Sequence, residues 1–297
     1  MRPIAKIFLG ILLILIALLA MFLLPQHLQI RQVNPPLLSE QSLRGLLEVP
    51  NGPTDVRFLT TSTQEGGIGL LSHNSVLIEW SNGDMVMIDA GMDVEAAIEF
   101  GELLKSMGPA EDVTVLGEIG QMLGADISRV KAVGFTHLHI DHTQGLVNFC
   151  KARGEGALAL QTGYQHKLQN FNTEEGAEII SRSCLKADVR DGDGLIEFDR
   201  FPGLAMYPLG GHTPGSTLFV VAHGDRLLLF SGDITNNKAD ILNDQGKGFL
   251  YSYLFVPENT ARTGQLRDWL RSLNQQDDIE VVVSHDLNDV QTVLQAY

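Results

Sequence analysis

Residues 136–142 read Thr-His-Leu-His-Ile-Asp-His and come directly after an apolar run at residues 130–135. Three imidazoles and a carboxylate therefore lie within six residues: His137, His139, Asp141 and His142. Burying so many polar groups without partners would cost several kcal/mol, whereas one divalent cation can bind them together. The segment predicts the centre of a metal site.

Three further apolar runs end in a residue that can bind metal. The runs at residues 204–209, 226–230 and 279–283 lead into His212, Asp233 and His285. Strand ends hold ligands more rigidly than loops do. The seven ligands exceed the four that one zinc ion takes, and they suit two metals about 3.5 to 4 Å apart that share a carboxylate and a hydroxide.

The order of these motifs resembles the metallo-β-lactamase-fold hydrolase superfamily, whose H-x-H-x-D-H hallmark stands at residues 137–142. The later GHTPGS, SGD and SHD segments follow in the family's order, and the I-D-A-G at residues 88–91 resembles its upstream element. The match spans about residues 66–286. It implies an α/β fold, a four-layered αββα sandwich with the dinuclear site at one sheet edge.

The resemblance also implies a role for each motif residue. One metal would be held by His137, His139 and His212, the other by Asp141, His142 and His285, with Asp233 bridging them. Asp89 would steady the ligand loop from outside, as metal sites generally require. The histidine-rich ligand set favours zinc, although iron, manganese or nickel also suit it.

Substrate class follows from the same motifs. Hydroxide shared by two metals attacks an electrophilic carbonyl or phosphorus, and Asp141 is the candidate catalytic residue that positions it and carries a proton. The bridging Asp233 and the stretch at residues 191–216 resemble the branch of quorum-signal lactonases and glyoxalase-like enzymes. Those lactonases have a substrate-contacting Tyr where this chain has Asn236, whose amide could still donate a hydrogen bond.

We therefore expect hydrolysis of a small neutral ester or lactone, similar to an acyl-homoserine lactone. Phosphodiesters, thioesters and β-lactams are the alternative substrates for the same fold. A diiron redox protein or a metal-binding protein without turnover is the alternative of another class.

A membrane segment precedes these motifs. Residues 7–24 carry no charge, and eighteen residues at about 1.5 Å each nearly span a hydrocarbon core about 30 Å thick. Arg2 and Lys6 precede the segment and only Arg31 follows closely, which predicts a cytoplasmic N-terminus and a catalytic domain outside, in the periplasm of a bacterium. A cleaved signal peptide is the alternative, but residues 22–25 offer no small residue for cleavage.

The predicted organisation is a membrane anchor at residues 1–24, a tether or lead-in at residues 25–54, and a catalytic domain at residues 55–297. The net charge is −15, and every acidic residue lies beyond position 39. Such a field repels polyanions, so we expect a small-molecule substrate and no nucleic acid partner. Solubility alone is the simpler explanation of the charge. The oligomeric state stays open.

Periodicity predicts the remaining elements. A hairpin turns at Asn82 and Gly83, and helices cover residues 94–107, 143–153 and 263–273. Alternating residues 249–256 predict a strand, either buried or placing aromatic rings at the pocket's edge. His73 opens a strand that ends near Asp89 and is a weaker candidate for substrate contact. Cys150 and Cys184 are either two free buried thiols or, in an oxidising compartment, a disulfide.

Overall fold

Two β-sheets form the centre of the computed structural model, which describes residues 3–67, 69–192 and 194–297. Met1 and Arg2 of the predicted anchor lie outside these residues. The first sheet has eight strands. They are β1 (Asp55–Gly66), β2 (Gly69–Glu79), β3 (Met85–Ile88), β4 (Thr114–Val115), β5 (Val130–Gly134), β6 (Ala157–Thr162), β7 (Leu185–Arg190) and β13 (Gln295–Ala296).

The first sheet is mixed. Its spatial order is β13-β1-β2-β3-β5-β6-β7, with β4 paired to β1. Strands β3, β5, β6 and β7 run parallel, and β2 is antiparallel to both of its neighbours, β1 and β3. β5 is almost entirely buried and consists largely of apolar residues, as expected for a parallel strand covered on both faces.

The second sheet has five strands in the order β12-β11-β10-β9-β8. They are β8 (Ile196–Glu197), β9 (Leu204–Pro208), β10 (Thr217–His223), β11 (Arg226–Phe230) and β12 (Ile279–Val282). Only the β11 and β12 pair is parallel. One apolar cluster joins the facing sides of the two sheets, with Ile78 and Val86 on one side and Met206 and Phe219 on the other.

Helices cover the outer faces and complete the predicted four-layered αββα sandwich. They are α1 (Pro3–Ile30), α2 (Glu40–Arg44), α3 (Val94–Met107), α4 (Ile119–Leu123), α5 (Ile140–Thr143), α6 (Leu146–Arg153), α7 (Gly163–Lys167), α8 (Glu174–Arg182), α9 (Lys238–Leu242), α10 (Thr260–Leu273) and α11 (Leu287–Val293). Helices α4, α6 and α8 pack on the first sheet, whereas α2, α9 and α10 pack on the second.

The N-terminal helix α1 continues six residues beyond the predicted end of the anchor, through Pro25 to Ile30. Residues 5–30 are long and apolar enough to cross a membrane. The following segment is not a free tether, because Leu43 and Leu46 are buried against the second sheet. Trp269 also donates a hydrogen bond to the carbonyl of Leu38 at 3.0 Å.

Most of the predicted elements are present, and one is wrong. The hairpin at Gly83 and helices α3, α6 and α10 lie where periodicity predicts them. The predicted strand at residues 249–256 is instead a π-helical turn, Tyr251–Phe255. The alternating residues do not pair with a neighbouring strand in the described part of the chain. The turn instead contacts α1 and the loop before α10.

The two cysteines are not free thiols. Cys150 in α6 and Cys184, directly before β7, form a disulfide with a Cα–Cα distance of 5.4 Å. The bond ties an outer helix to the edge strand of the first sheet, because β7 ends that sheet. Such bonds persist in oxidising compartments.

Candidate metal centre

The strands of both sheets end at a common edge, and the predicted ligands follow them there. Asp89 comes after β3, His137 after β5, Asp233 after β11, and His285 after β12. His212 follows β9, and Asp141 and His142 lie in the short helix α5. All seven predicted ligands except the half-buried His139 are buried.

The first donor set consists of His137, His139 and His212, whose ligand atoms lie within 4.8 Å of one another. His137 Nε2 lies 3.0 Å from His139 Nδ1. Glu258 holds the third ring, with His212 Nδ1 at 2.7 Å from its carboxylate. His212 Nε2 therefore points away from Glu258. This nitrogen has no hydrogen-bond partner among the described residues.

The motif order assigns Asp141, His142 and His285 to the second donor set, and the structure also places a ligand atom of His73 within 4.8 Å of those of Asp141 and His285. His142 Nε2 lies 3.2 Å from His285 Nε2, and Asp141 Oδ2 lies 3.6 Å and 3.4 Å from these two nitrogens. Both rings are fixed through their other nitrogen. His142 Nδ1 contacts Asp89 at 2.8 Å, and His285 Nδ1 donates to the carbonyl of Ser72 at 2.8 Å.

Asp233 lies between the two sets. Its Oδ2 is 3.1 Å from His285 Nε2 and 3.9 Å from His212 Nε2, while its Oδ1 is 3.4 Å from His142 Nε2. A carboxylate in this position can contribute an oxygen to each of two cations. The geometry therefore fits the bridging position that the motif order implies.

The donor set fits two metal ions. Nitrogens bound to one tetrahedral zinc at about 2.0 to 2.1 Å lie about 3.3 Å apart, close to the 3.0 and 3.2 Å separations within the two sets. Asp233 Oδ1 and His212 Nε2 are buried and lack hydrogen-bond partners within the described residues. A cation supplies what such atoms need.

Electrostatics differ between the two sets. Burial and the neighbouring His212 lower the pKa of His139 to about 3, and burial lowers the pKa of His137 as well. Their imidazoles are therefore neutral, the form that binds metal. Burial opposes the charged form of His142, but Asp89 and Asp141 raise its pKa above the ordinary value. Two carboxylates, Asp89 and Asp141, therefore lie close to His142 in the second set.

Asp89 occupies a strained backbone position, with φ of 59° in the left-handed region that Asp tolerates better than most residues. Its carboxylate accepts hydrogen bonds from the backbone N–H and the hydroxyl of Thr136, each at 2.7 Å. The same carboxylate contacts His142. Asp89 thus links the strand end before His137 to a ring of the second donor set.

Comparison with known proteins agrees with this geometry. The family model described as the metallo-beta-lactamase superfamily matches residues 68–285. The chain belongs to this superfamily.

Individual relatives of the superfamily are distant. A ribonuclease of Thermus thermophilus is 31% identical over 130 residues, and the match covers 41% of this chain and 30% of the ribonuclease. The chain thus spans less than a third of that relative's length.

Solved structures show the shared fold. Bacillus thuringiensis AiiA with N-decanoyl-L-homoserine bound has a TM-score of 0.62 and 14% identity, covering 83% of this chain and 98% of that one. AidC, a dizinc quorum-quenching lactonase with an N-acyl-homoserine product, has a TM-score of 0.54 and 14% identity, covering 79% and 89%.

The segment whose aromatic residues were one candidate for the pocket's edge lies over the site, and Lys247 and Glu258 extend it at both ends. We call residues 247–258 the lip. The side chain of Lys247 is only 3% exposed, and its Nζ lies 3.5 Å from Asp233 Oδ2. The Tyr251 ring stacks on His212 with centroids 6.5 Å apart. Glu258 is the last residue of the lip. The next residue, Asn259, is the N-cap of α10 and is a signal that a local sequence pattern offers.

Two further residues were weaker candidates for substrate contact. His73 is buried beside the second donor set, with Nε2 3.7 Å from Asp141 Oδ2 and Nδ1 2.9 Å from Ser62 Oγ. Burial lowers the pKa of His73 to about 3, so it is a neutral ring next to Asp141. The substrate role of Asn236 stays a prediction.

Proposed function

We propose that this protein is a metal-dependent hydrolase that cleaves a small neutral ester or lactone, similar to an acyl-homoserine lactone, with two divalent metals. The observation that carries the proposal is the convergence of the seven donor side chains around Asp233, in overlapping groups of ligand atoms within 4.8 Å of one another. Dizinc lactonases of the same fold support the substrate class and favour zinc as the metal.

Roles for the residues follow from their contacts. The first metal would bind His137, His139 and His212, the second Asp141, His142 and His285, and Asp233 would contribute to both. Bound cations supply two things: water acidic enough to attack at neutral pH, and polarisation of the substrate's carbonyl. Asp89, Glu258 and the Ser72 carbonyl hold three imidazoles in the orientation that presents Nε2 to the centre.

Asp141 is the proposed catalytic carboxylate. Burial raises its pKa, but His142 and His285 lower it more, so Asp141 is ionised at neutral pH. An ionised oxygen within 3.7 Å of three imidazole nitrogens can accept a proton from attacking water and return it to the leaving alkoxide.

The hydroxyl of Tyr251 is the proposed donor to the developing oxyanion, a position that Asn236 was expected to take. Tyr251 belongs to the lip and stacks on His212, a ligand of the first set. Burial raises the pKa of Tyr251, so the phenol keeps its proton and can donate.

Location is part of the proposal. Residues 1–24 would anchor the chain, residues 25–54 would lead from the membrane onto the second sheet, and residues 55–297 would form the catalytic domain outside the cytoplasm. The apolar helix α1 supports an anchor by its length and composition. The Cys150–Cys184 disulfide supports an oxidising compartment such as the periplasm.

The test uses the full chain, purified in detergent and loaded with zinc. We expect turnover of N-hexanoyl-homoserine lactone that is lost with a chelator and in His137→Ala. His166→Ala, which alters a histidine outside the donor sets, is the control and keeps activity. Equal rates on a thioester, a chromogenic cephalosporin and the lactone would contradict the substrate assignment, while absence of any hydrolysis would contradict the proposed function.

Cleavage of a small phosphodiester is the second candidate, and Lys247 favours it. Burial lowers the pKa of Lys247, but Tyr251 and Asp233 raise it more, so a buried cation faces the donor atoms. The partial similarity to a ribonuclease agrees with phosphorus chemistry. Because the chain carries a net charge of −15, a small phosphodiester fits better than nucleic acid. Bis(p-nitrophenyl) phosphate is the probe.

A further inference from the structure

The outer side of the lip exposes four large apolar side chains. Phe249 is 70% exposed, Leu250 61%, Leu254 39% and Phe255 48%. The inner side of the same segment carries Lys247 and Tyr251 toward the donor atoms. A soluble surface rarely concentrates four such residues within seven positions, and such clusters mark interaction sites.

The lip contacts the N-terminal helix directly. His27 Nε2 in α1 lies 3.1 Å from the carbonyl oxygen of Tyr253, and the centroids of the His27 and Tyr253 rings are 5.5 Å apart. Phe249 stacks on Tyr253 at 4.7 Å. Beside this contact, Phe22 of α1 packs on Phe171 at 5.0 Å. The catalytic domain therefore holds the C-terminal end of α1 next to the lip.

Helix length places this contact at a definite depth. A hydrocarbon core about 30 Å thick takes about 20 residues at about 1.5 Å each, which residues 5–24 of α1 supply. His27 then lies about 5 Å beyond the core. Aromatic and amphipathic side chains concentrate at that level of a bilayer, and His27, Tyr253 and Phe249 are of this kind.

We propose that the outer side of the lip inserts into the membrane interface, so that the metal centre receives amphiphilic substrates from the bilayer surface. The hydrolysable group would reach the donors past Tyr251, and the apolar chain would stay among lipid tails beside Phe249 and Phe255. This inference rests on the proposed anchor and hydrolase function. It adds the direction of access and the amphiphilic character of the substrate.

The test is depth-dependent fluorescence quenching of the full chain in phosphatidylcholine vesicles that contain brominated phosphatidylcholine. Phe255→Trp reports on the lip, and Leu13→Trp reports on the middle of α1. Asp225→Trp is the control at the opposite end of the sandwich, in the exposed turn between β10 and β11, because the donor Asp233 follows the other end of β11. Buried Trp80 and Trp269 give the background, measured in the unaltered chain.

We expect strong quenching of Leu13→Trp by deep bromines, quenching of Phe255→Trp by shallow bromines, and no added quenching of Asp225→Trp. If Leu13→Trp is quenched but Phe255→Trp behaves like Asp225→Trp, the lip does not insert and the inference is wrong. If the Phe255→Trp fluorescence changes with protein concentration and not with bromine, the surface contacts a second copy of the chain. That result would also overturn the inference. Quenching requires no turnover, so failure of the proposed hydrolysis is detected separately.

Discussion

The floor and the lip of the candidate centre are built differently. The floor, meaning the seven donors and Asp89, follows strand ends and α5, and its donor rings are fixed by contacts such as those from Asp89 and Ser72. The lip is a connection between α9 and α10 that contains a single π-helical turn and contacts α1. Strand ends give a fixed donor geometry, whereas a connection can change without disturbing the sheets.

This difference separates chemistry from selectivity. Distances of 3.0 to 3.6 Å among floor donors fit metal binding. Lys247, Tyr251 and the exposed apolar side chains are particular to the lip. We therefore expect floor substitutions to affect every substrate, and lip substitutions to change the preference among substrates.

The largest effect is expected from the floor. His137→Ala removes a donor of the first set, and loss of the cation's stabilisation should lower lactone turnover at least about 10³-fold. Steady-state kinetics of the zinc-loaded full chain measure it, with His166→Ala as the control. A loss below tenfold in His137→Ala would mean that the first donor set is dispensable.

Substitution of the carboxylates that orient imidazoles should have intermediate effects on metal affinity. Asp89→Asn and Glu258→Gln leave every donor in place but weaken the hold on His142 and His212, which should reduce metal affinity about 10 to 100-fold. Competition with a chromophoric chelator separates the two sites. We expect Asp89→Asn to weaken the second metal and Glu258→Gln the first; the same site weakened in both would refute the division of donors.

The floor could be predicted from the sequence because its residues form local motifs after apolar strands. Asp89 could be identified as a residue that steadies the ligand loop from the I-D-A-G motif at residues 88–91, and in the structure it contacts Thr136 and His142. Glu258 and Lys247 could not, because neither belongs to a local pattern and each reaches the donors only through tertiary packing. His73 stood in a recognised strand, but it lies next to Asp141 only through the packing of distant chain segments.

The predicted strand at residues 249–256 illustrates the same limit. Alternating aromatic and aliphatic residues satisfy strand periodicity, yet a strand needs a partner for its backbone groups. In the structure those groups bond within the turn, as Val256 N–H does to the Tyr251 carbonyl at 2.8 Å. The turn also contacts α1 through His27, a residue far outside any short window of sequence.

A smaller and selective effect is expected from the lip. Lys247→Met removes the buried cation, and loss of one charge-assisted hydrogen bond should lower kcat/KM for bis(p-nitrophenyl) phosphate about tenfold. The ratio of phosphodiester to lactone turnover should fall with it. An unchanged ratio would show that Lys247 only neutralises Asp233 and takes no part in selectivity.

The smallest effect on turnover is expected from the disulfide, which lies in neither region. Replacing Cys150 and Cys184 with Ser should lower the free energy of unfolding by about 2 to 4 kcal/mol, because the closed loop spans 34 residues. Turnover per folded molecule should stay within about twofold, since no donor is touched. Chemical denaturation followed by circular dichroism measures the first quantity, and an unshifted midpoint would contradict the expectation.

Metal content tests the central claim most directly. Inductively coupled plasma mass spectrometry of the zinc-loaded, desalted full chain should give two equivalents per chain, and His285→Ala, which removes a donor of the second set only, should give about one. Saturation of the unaltered chain at one equivalent or none would contradict a centre built from two donor sets around Asp233.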